Sequence, residues 1–260
     1  MKIRSLVAAA NIGLVFLLMI GLVAEASEIK VLSAVGIQPV IEELGPKFEH
    51  ACGHKLTITF RGVGGIVKRV QGGETADVII IPQQGIDGFL KDGKVAPGNV
   101  TVLARSGTGV AVRKGAPKPD ISSPEALKRT LLAAKSVAYG NPETSASGSH
   151  FTKVLDRLGI ADEMKSKTIR PPPKSPNEAG LLVAKGEAEI AVQLISQLVL
   201  YSDIDIVGPL PGDLQDDIIF AAAVMAGAKD TAAAKALVDF LRTPEATAVI
   251  KAKGMEPATP

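Results

Sequence analysis

The sequence predicts an α/β fold in two lobes, each a mostly parallel sheet flanked by helices. Three observations predict it. From Glu28 onward, short apolar runs alternate with runs whose apolar residues recur at helical spacing. Three junctions between such runs carry short turns: Ser33-Ala34-Val35-Gly36-Ile37-Gln38, Arg61-Gly62-Val63-Gly64-Gly65 and Thr144-Ser145-Ala146-Ser147-Gly148. The second half of the chain then repeats the style of the first.

The first residues read as a secretory signal peptide. Lys2 and Arg4 precede an apolar run from Leu6 to Val23, and Ala24-Glu25-Ala26 places small residues two apart before Ser27. The rival reading is an uncleaved anchor, because the run approaches the length that spans a hydrocarbon core of roughly 30 Å. Loss of residues 1–26 leaves a chain close to neutral.

The strand Ile29 to Leu32 leads to Pro39, placed in the first turn of an amphipathic helix that runs through His50 and carries Val40, Ile41, Leu44 and Phe48. Leu56 to Phe60 alternates as a strand does, and a helix with Ile66, Val67 and Val70 follows its turn. Ala76 to Pro82 is continuously apolar, as expected of a strand buried on both faces. Right-handed crossovers set these strands parallel, with their carboxyl ends on one edge, where ligands of open α/β sheets bind.

The second unit starts with the strand Gly109 to Arg113 and a Pro-rich loop, Lys114 to Ser123. Ser123-Pro124-Glu125 caps a helix through Ala134. Ser136 to Tyr139 is a strand feeding the third turn, and His150 to Leu158 is its helix. Pro171 to Pro173 form a rigid connector, Ser175-Pro176-Asn177-Glu178 starts another helix, and Ala188 to Val192 is a strand. A last strand, Ile219 to Ala226, precedes helices from Thr231 to Leu241 and from Pro244 to Lys253, and the polar tail is expected to fray. Crossings near Arg105 to Thr108 and Asp217 to Phe220 divide the chain into a first lobe of residues 27–108 plus 220–260 and a second of residues 109–219. A ligand cleft is expected between them.

Each turn that opens a helix presents free backbone N–H groups and the positive end of a helix dipole, and so holds anions. Arg61 adds a full charge to the second. A net charge of +2 over 260 residues, with no basic block interleaved with aromatics, excludes nucleic acid as a partner. Cys52 is the only cysteine, so no intrachain disulfide forms; it is expected as a small buried or half-buried thiol. His50, Cys52 and His54 match no standard metal-ligand spacing, and no metal is expected. No nucleophile motif or cofactor loop is present, and no cofactor is expected.

The order of these features, with Gly73-Glu74-Thr75-Ala76-Asp77-Val78, Asn141-Pro142-x-x-x-Ala146-x-Gly148 and Phe240-Leu241-x-x-Pro244-Glu245-Ala246, resembles periplasmic molybdate-binding proteins over nearly all of the chain after the signal segment. The resemblance implies the type II periplasmic binding-protein fold, whose lobes close on a ligand by hinge motion. It further implies a periplasmic location, a small anion as ligand, an ABC transporter permease as partner, and a monomer. In that family, hydroxyls of the first two turns and a late tyrosine bind the oxyanion. Here Val35-Gly36, Arg61-Gly62-Val63-Gly64 and Gln193 stand in those places.

A guanidinium fork matches a planar carboxylate, so Arg61 points to a di- or tricarboxylate, and the glycines beside it are expected to leave room for one. The expected ligand-binding residues are Ser33, Val35, Gly36, Arg61, Gly62, Val63, Gly64, Ser145, Ala146, Ser147 and Gln193. Such a chain acts as a solute receptor. The alternative implied by the resemblance is an aconitate isomerase, which moves an allylic proton and needs a general base, here His150 or Glu143. A third reading keeps a molybdate-type oxyanion, held by Ser33, Ser145, Ser147 and backbone N–H groups.

Overall fold

The computed structural model describes residues 26–172 and 178–258. The expected signal segment short of its last residue, Pro173 of the expected connector, and the helix start expected at Ser175 to Asn177 lie outside the described residues.

Strand β1 (Glu28–Ala34) runs through a 3-10 turn, Val35–Ile37, into α1 (Gln38–Cys52). Strand β2 (Lys55–Arg61) leads to α2 (Val63–Gln71), and β3 (Val78–Pro82) to α3 (Gln83–Lys91). Strand β4 (Val95–Ser106) ends one residue before β5 (Thr108–Arg113). Then come α4 (Pro124–Ala133), β6 (Val137–Tyr139), α5 (Ala146–Arg157), α6 (Ala161–Lys165) and β7 (Thr168–Ile169). Helix α7 (Ala179–Ala184), β8 (Ile190–Leu194), α8 (Ile195–Leu198) and β9 (Ile204–Pro209) complete the second unit. The chain closes with β10 (Ile218–Met225), α9 (Thr231–Phe240), α10 (Pro244–Ala252) and β11 (Glu256–Pro257).

Among the described residues these strands form two sheets, ordered β11-β4-β10-β3-β1-β2 and β7-β6-β8-β5-β9. The expectation of mostly parallel sheets needs correcting, for both are mixed. Strands β3, β1 and β2 are parallel, as are β8, β6 and β7, each trio built by helical crossovers. The strands that carry the chain between sheets pair antiparallel: β4 and β10 in the first, β5 and β9 in the second. The chain leaves the first sheet at Gly107 and returns between Pro209 and Ile218. Two further expectations fail. The tail does not fray at Glu256–Pro257, which pairs with β4 while Met255 is buried. Cys52 is exposed, because the last turn of α1 runs past its packing face.

Each sheet has its own apolar core, one around Leu32, Phe48, Ile79 and Ile80, the other around Leu127, Val137, Tyr139 and Phe151. A buried carboxylate ties the first together at the edge away from the turns. Asp77 accepts the backbone N–H of Lys30 at 2.8 Å and of Lys229 at 2.7 Å. Asp77→Ala strands both donors and is expected to cost about 3 kcal/mol, measured as a lower urea midpoint with unchanged slope. Nearby, the Ser27 hydroxyl donates to Asp230 at 2.5 Å and its backbone N–H to His54 Nδ1 at 3.2 Å. Asp230 also caps α9, and the N–H of Ala233 and the Ser27 hydroxyl hold its carboxyl below the usual range.

Candidate functional site: an anion cradle between the sheets

The three turns converge. Val35 and Gly36 come from the end of β1, Gly62 and Val63 from the end of β2, and Thr144, Ser145, Ala146 and Ser147 from the turn after β6; together they line a small cavity of about 10 Å³. That is room for roughly one water-sized group. Ala34, Leu194, Gln197 and Phe220 complete the lining, and no charged side chain takes part. Val63 and Ala146 are the first residues of α2 and α5, and Val35 opens the turn that continues into α1. Three helix beginnings thus point at one spot, the geometry that holds an anion through neutral donors.

The second-sheet side is held by side chains. Ser145 caps α5 by accepting the Gly148 N–H at 3.2 Å, and its hydroxyl lies 3.3 Å from that of Ser147. The first turn is fastened from across the cleft: the Ser196 hydroxyl donates to Gly36 O at 3.0 Å and lies 3.2 Å from the Ser106 hydroxyl beside the crossing. A Cβ on Gly36 would stand 2.6 Å from the Phe220 ring and 2.8 Å from the Leu194 side chain, so these buried side chains would have to shift to admit it.

A larger cavity of about 580 Å³ adjoins the cradle and shares Val63, Thr144, Ser145 and Ala146 as wall. It is lined further by Gly64, Gln83, Glu143, His150, Lys153 and Ile219, with Asp87, Asp216 and Asp217 exposed at its rim. His150 Nε2 lies 3.0 Å from Leu214 O. A carbonyl only accepts, so Nε2 carries the proton and Nδ1 keeps its lone pair. Burial pushes the imidazole below its ordinary value, outweighing the Leu214 carbonyl and the Asp216 charge, which act the other way.

Of the residues expected from sequence, Val35, Gly36, Gly62, Val63, Ser145, Ala146 and Ser147 line the cradle, and Gly64, Glu143 and His150 line the larger cavity. Ser33, Arg61 and Gln193 line neither. Ser33 is fully buried and its hydroxyl donates to Ala34 O. Arg61 is exposed and its guanidinium donates to Phe60 O at 2.9 Å. Gln193 lies inside β8, where its amide oxygen accepts the Gly180 N–H at 2.9 Å. The glycines of the second turn do not leave open room either, because backbone from the third turn fills the space beside Gly62 and Gly64.

Sequence reasoning missed Gln197, whose amide donates weakly to Val35 O at 3.4 Å. The rule that strand ends carry the site, applied to β8, finds it at the start of α8. Among the described residues, no cluster of His, Cys, Asp and Glu is placed to hold a metal ion.

Two mixed sheets, joined at two crossings and meeting at the cradle, give the two-lobed fold of periplasmic binding proteins. A family model described as bacterial extracellular solute-binding protein matches residues 29–256, and the chain belongs to that family. It is 35% identical over 232 residues to an aconitate isomerase from a Pseudomonas species, with 87% of each chain covered. It is 31% identical over 236 residues to the molybdate-binding protein ModA of Azotobacter vinelandii, covering 89% of this chain and 90% of that one. The solved periplasmic molybdate-binding protein of A. vinelandii superposes with a TM-score of 0.73 at 21% identity, covering 89% of this chain and 99% of that one. The sulfate-binding protein SubI from Mycobacterium tuberculosis H37Rv gives 0.72 at 19%, covering 90% and 88%.

Proposed function

We propose that this chain is an exported receptor for a small organic carboxylate, with one carboxylate oxygen reaching the cradle and the carbon body in the larger cavity. The observation that carries this is the shared wall of the two cavities at Val63, Thr144, Ser145 and Ala146. The cradle, with room for roughly one water-sized group, is too small for a tetrahedral oxyanion, whereas a cavity of about 580 Å³ lies within the usual range for small organic ligands, about 300–1,000 Å³. Lys153 meets a second carboxylate of a di- or tricarboxylate, while Asp87, Asp216 and Asp217 oppose heavier charge at the rim. Export by cleavage after Ala26 delivers the protein to the periplasm, where it hands its ligand to an ABC transporter permease. Ser27 as the first residue of the purified protein is the expected result of N-terminal sequencing.

His150 favours a second reading, isomerisation of aconitate on the same scaffold, which the relative from Pseudomonas also supports. Nδ1 takes the allylic proton from the methylene carbon, the electron pair shifts across the double bond, and the imidazolium returns the proton to the far carbon. No cofactor enters this scheme. Because burial keeps His150 neutral at ordinary pH, kcat/KM is expected to rise with pH and to level off below about 6.5, the ordinary histidine value.

Both readings are tested by incubating the protein with cis- and trans-aconitate in deuterated water and following proton NMR. Interconversion that falls about 100-fold or more in His150→Gln identifies the isomerase. Saturable binding without turnover identifies the receptor. Thermal stabilisation by molybdate alone overturns the carboxylate assignment.

A further inference from the structure

Ser27 follows the expected cleavage after Ala26, and it is tied to the first sheet's lobe from three sides. Its carbonyl accepts the Lys55 N–H at 2.9 Å, continuing the pairing of β1 with β2. Its hydroxyl donates to Asp230 at 2.5 Å, and its backbone nitrogen donates to His54 Nδ1 at 3.2 Å. An N–H only donates, so Nδ1 is the bare, accepting nitrogen of a neutral imidazole. His54 is 9% exposed and stacks on Phe48, so the core holds that acceptor in place. Asp230 is fixed as well, because its other oxygen caps α9 by accepting the Ala233 N–H at 2.9 Å.

Cleavage before Ser27 changes the nitrogen at this point. Water adds across the Ala26–Ser27 amide: its oxygen stays on Ala26 as a carboxylate, and both hydrogens go to the Ser27 nitrogen, which turns from an amide N–H into a primary ammonium. An α-amine titrates near 8, so that group is charged at neutral pH. We propose that His54 and Asp230 form a capture site for the α-ammonium of the processed chain, with His54 Nδ1 accepting one of its hydrogens and the Asp230 carboxylate supplying the opposite charge. A hydrogen bond from an ion is about twice as strong as a neutral one, so the contact already present at Ser27 tightens on processing. The carboxylate also offsets the positive end of α9, which alone would repel the new charge. While residues 1–26 remain attached, Ser27 offers only its neutral N–H. The processed chain is therefore the more stable form, and the start of β1 is held most firmly after cleavage. This capture rests on cleavage after Ala26 and is independent of what the cleft binds.

The test compares the chain beginning at Ser27 with its Nα-acetylated form, which restores a neutral amide N–H and adds no residue. By differential scanning calorimetry at pH 7, the free-amine form is expected to melt about 2–4 °C higher, and the gap to vanish in Asp230→Asn. Asparagine caps a helix as well as aspartate does, so that substitution removes the charge and keeps the cap. If Asp230→Asn fails to fold, Asp230→Ser, with another capping residue, takes its place. The amine gives a second readout. Its acylation by limiting acetic anhydride, followed by mass spectrometry of the N-terminal peptide, is expected to run about tenfold slower in wild type than in the variant, as one pK unit of ammonium stabilisation dictates. Equal melting of the two forms, a gap that survives in the variant, or equal acylation rates overturn the proposal. Because the tested chain is made to begin at Ser27, its result stands apart from the cleavage position, which N-terminal sequencing of the exported protein tests by itself.

Discussion

Gly148→Ala is expected to lower the melting temperature by roughly 10 °C, the equivalent of about 3 kcal/mol in a chain of this size. The added methyl group would overlap Gly140 O, stand 2.7 Å from Gly140 C and stand 3.2 Å from Asn141 C, all backbone atoms. That backbone is held in place from other directions. Arg170 donates to Gly140 O at 2.7 Å while lying 3.7 Å over the Tyr139 ring, and Asn141 O accepts the N–H groups of Thr144 and Ser145. The strain is therefore relieved only by tilting α5 away from β6, which carries Ser145, Ala146 and Ser147 out of the cradle. Differential scanning calorimetry reads the first effect, and anion binding to material still folded at low temperature reads the second. A melting point within about 2 °C of wild type would mean that the strand-to-helix junction is looser than its contacts imply.

Phe220→Ala is expected to cost about 3–5 kcal/mol and to change what the cradle accepts. Phe220 is 1% exposed, lies in β10, touches the first turn at Gly36 and forms part of the cradle lining. Removing its ring empties space beside the first turn. Phe220→Leu keeps most of the packing and separates the two effects: a smaller loss in urea denaturation, with weaker discrimination between small and larger anions in calorimetric titration. Unaltered selectivity in Phe220→Leu would remove the ring from the cradle's specificity.

The parts of this fold that were legible are those where local pattern and tertiary role agree. Strands β1 and β3 are apolar runs bounded by turns, and α1 shows its core face through Val40, Ile41, Leu44 and Phe48. Residues 83–106 were opaque for a physical reason. Helix α3 contains Gly85 and Gly88, and β4 starts across Pro97 and Gly98, residues that locally oppose the structures they join. Packing against β10 and the first core overrides that preference.

The three turns were legible as strand-to-helix junctions because that geometry is local. That the third turn's backbone lies against the second was not, since nothing within either segment encodes a contact between Gly62 and Thr144. Arg61 illustrates the same gap. Its charge was visible in the sequence, but the direction of its side chain, back onto Phe60 O, depends on the strand it terminates.

The exposed end of α1 has a practical use. Cys52 is the only cysteine in 260 residues, stands free at the surface and lines neither cavity. A maleimide dye therefore attaches at one defined point on the first sheet's flank without any cysteine having to be removed. Lys165, whose side chain is 77% exposed at the end of α6, offers a place for an engineered second thiol on the other flank. Energy transfer between the two would time the opening and shutting of the cleft one molecule at a time.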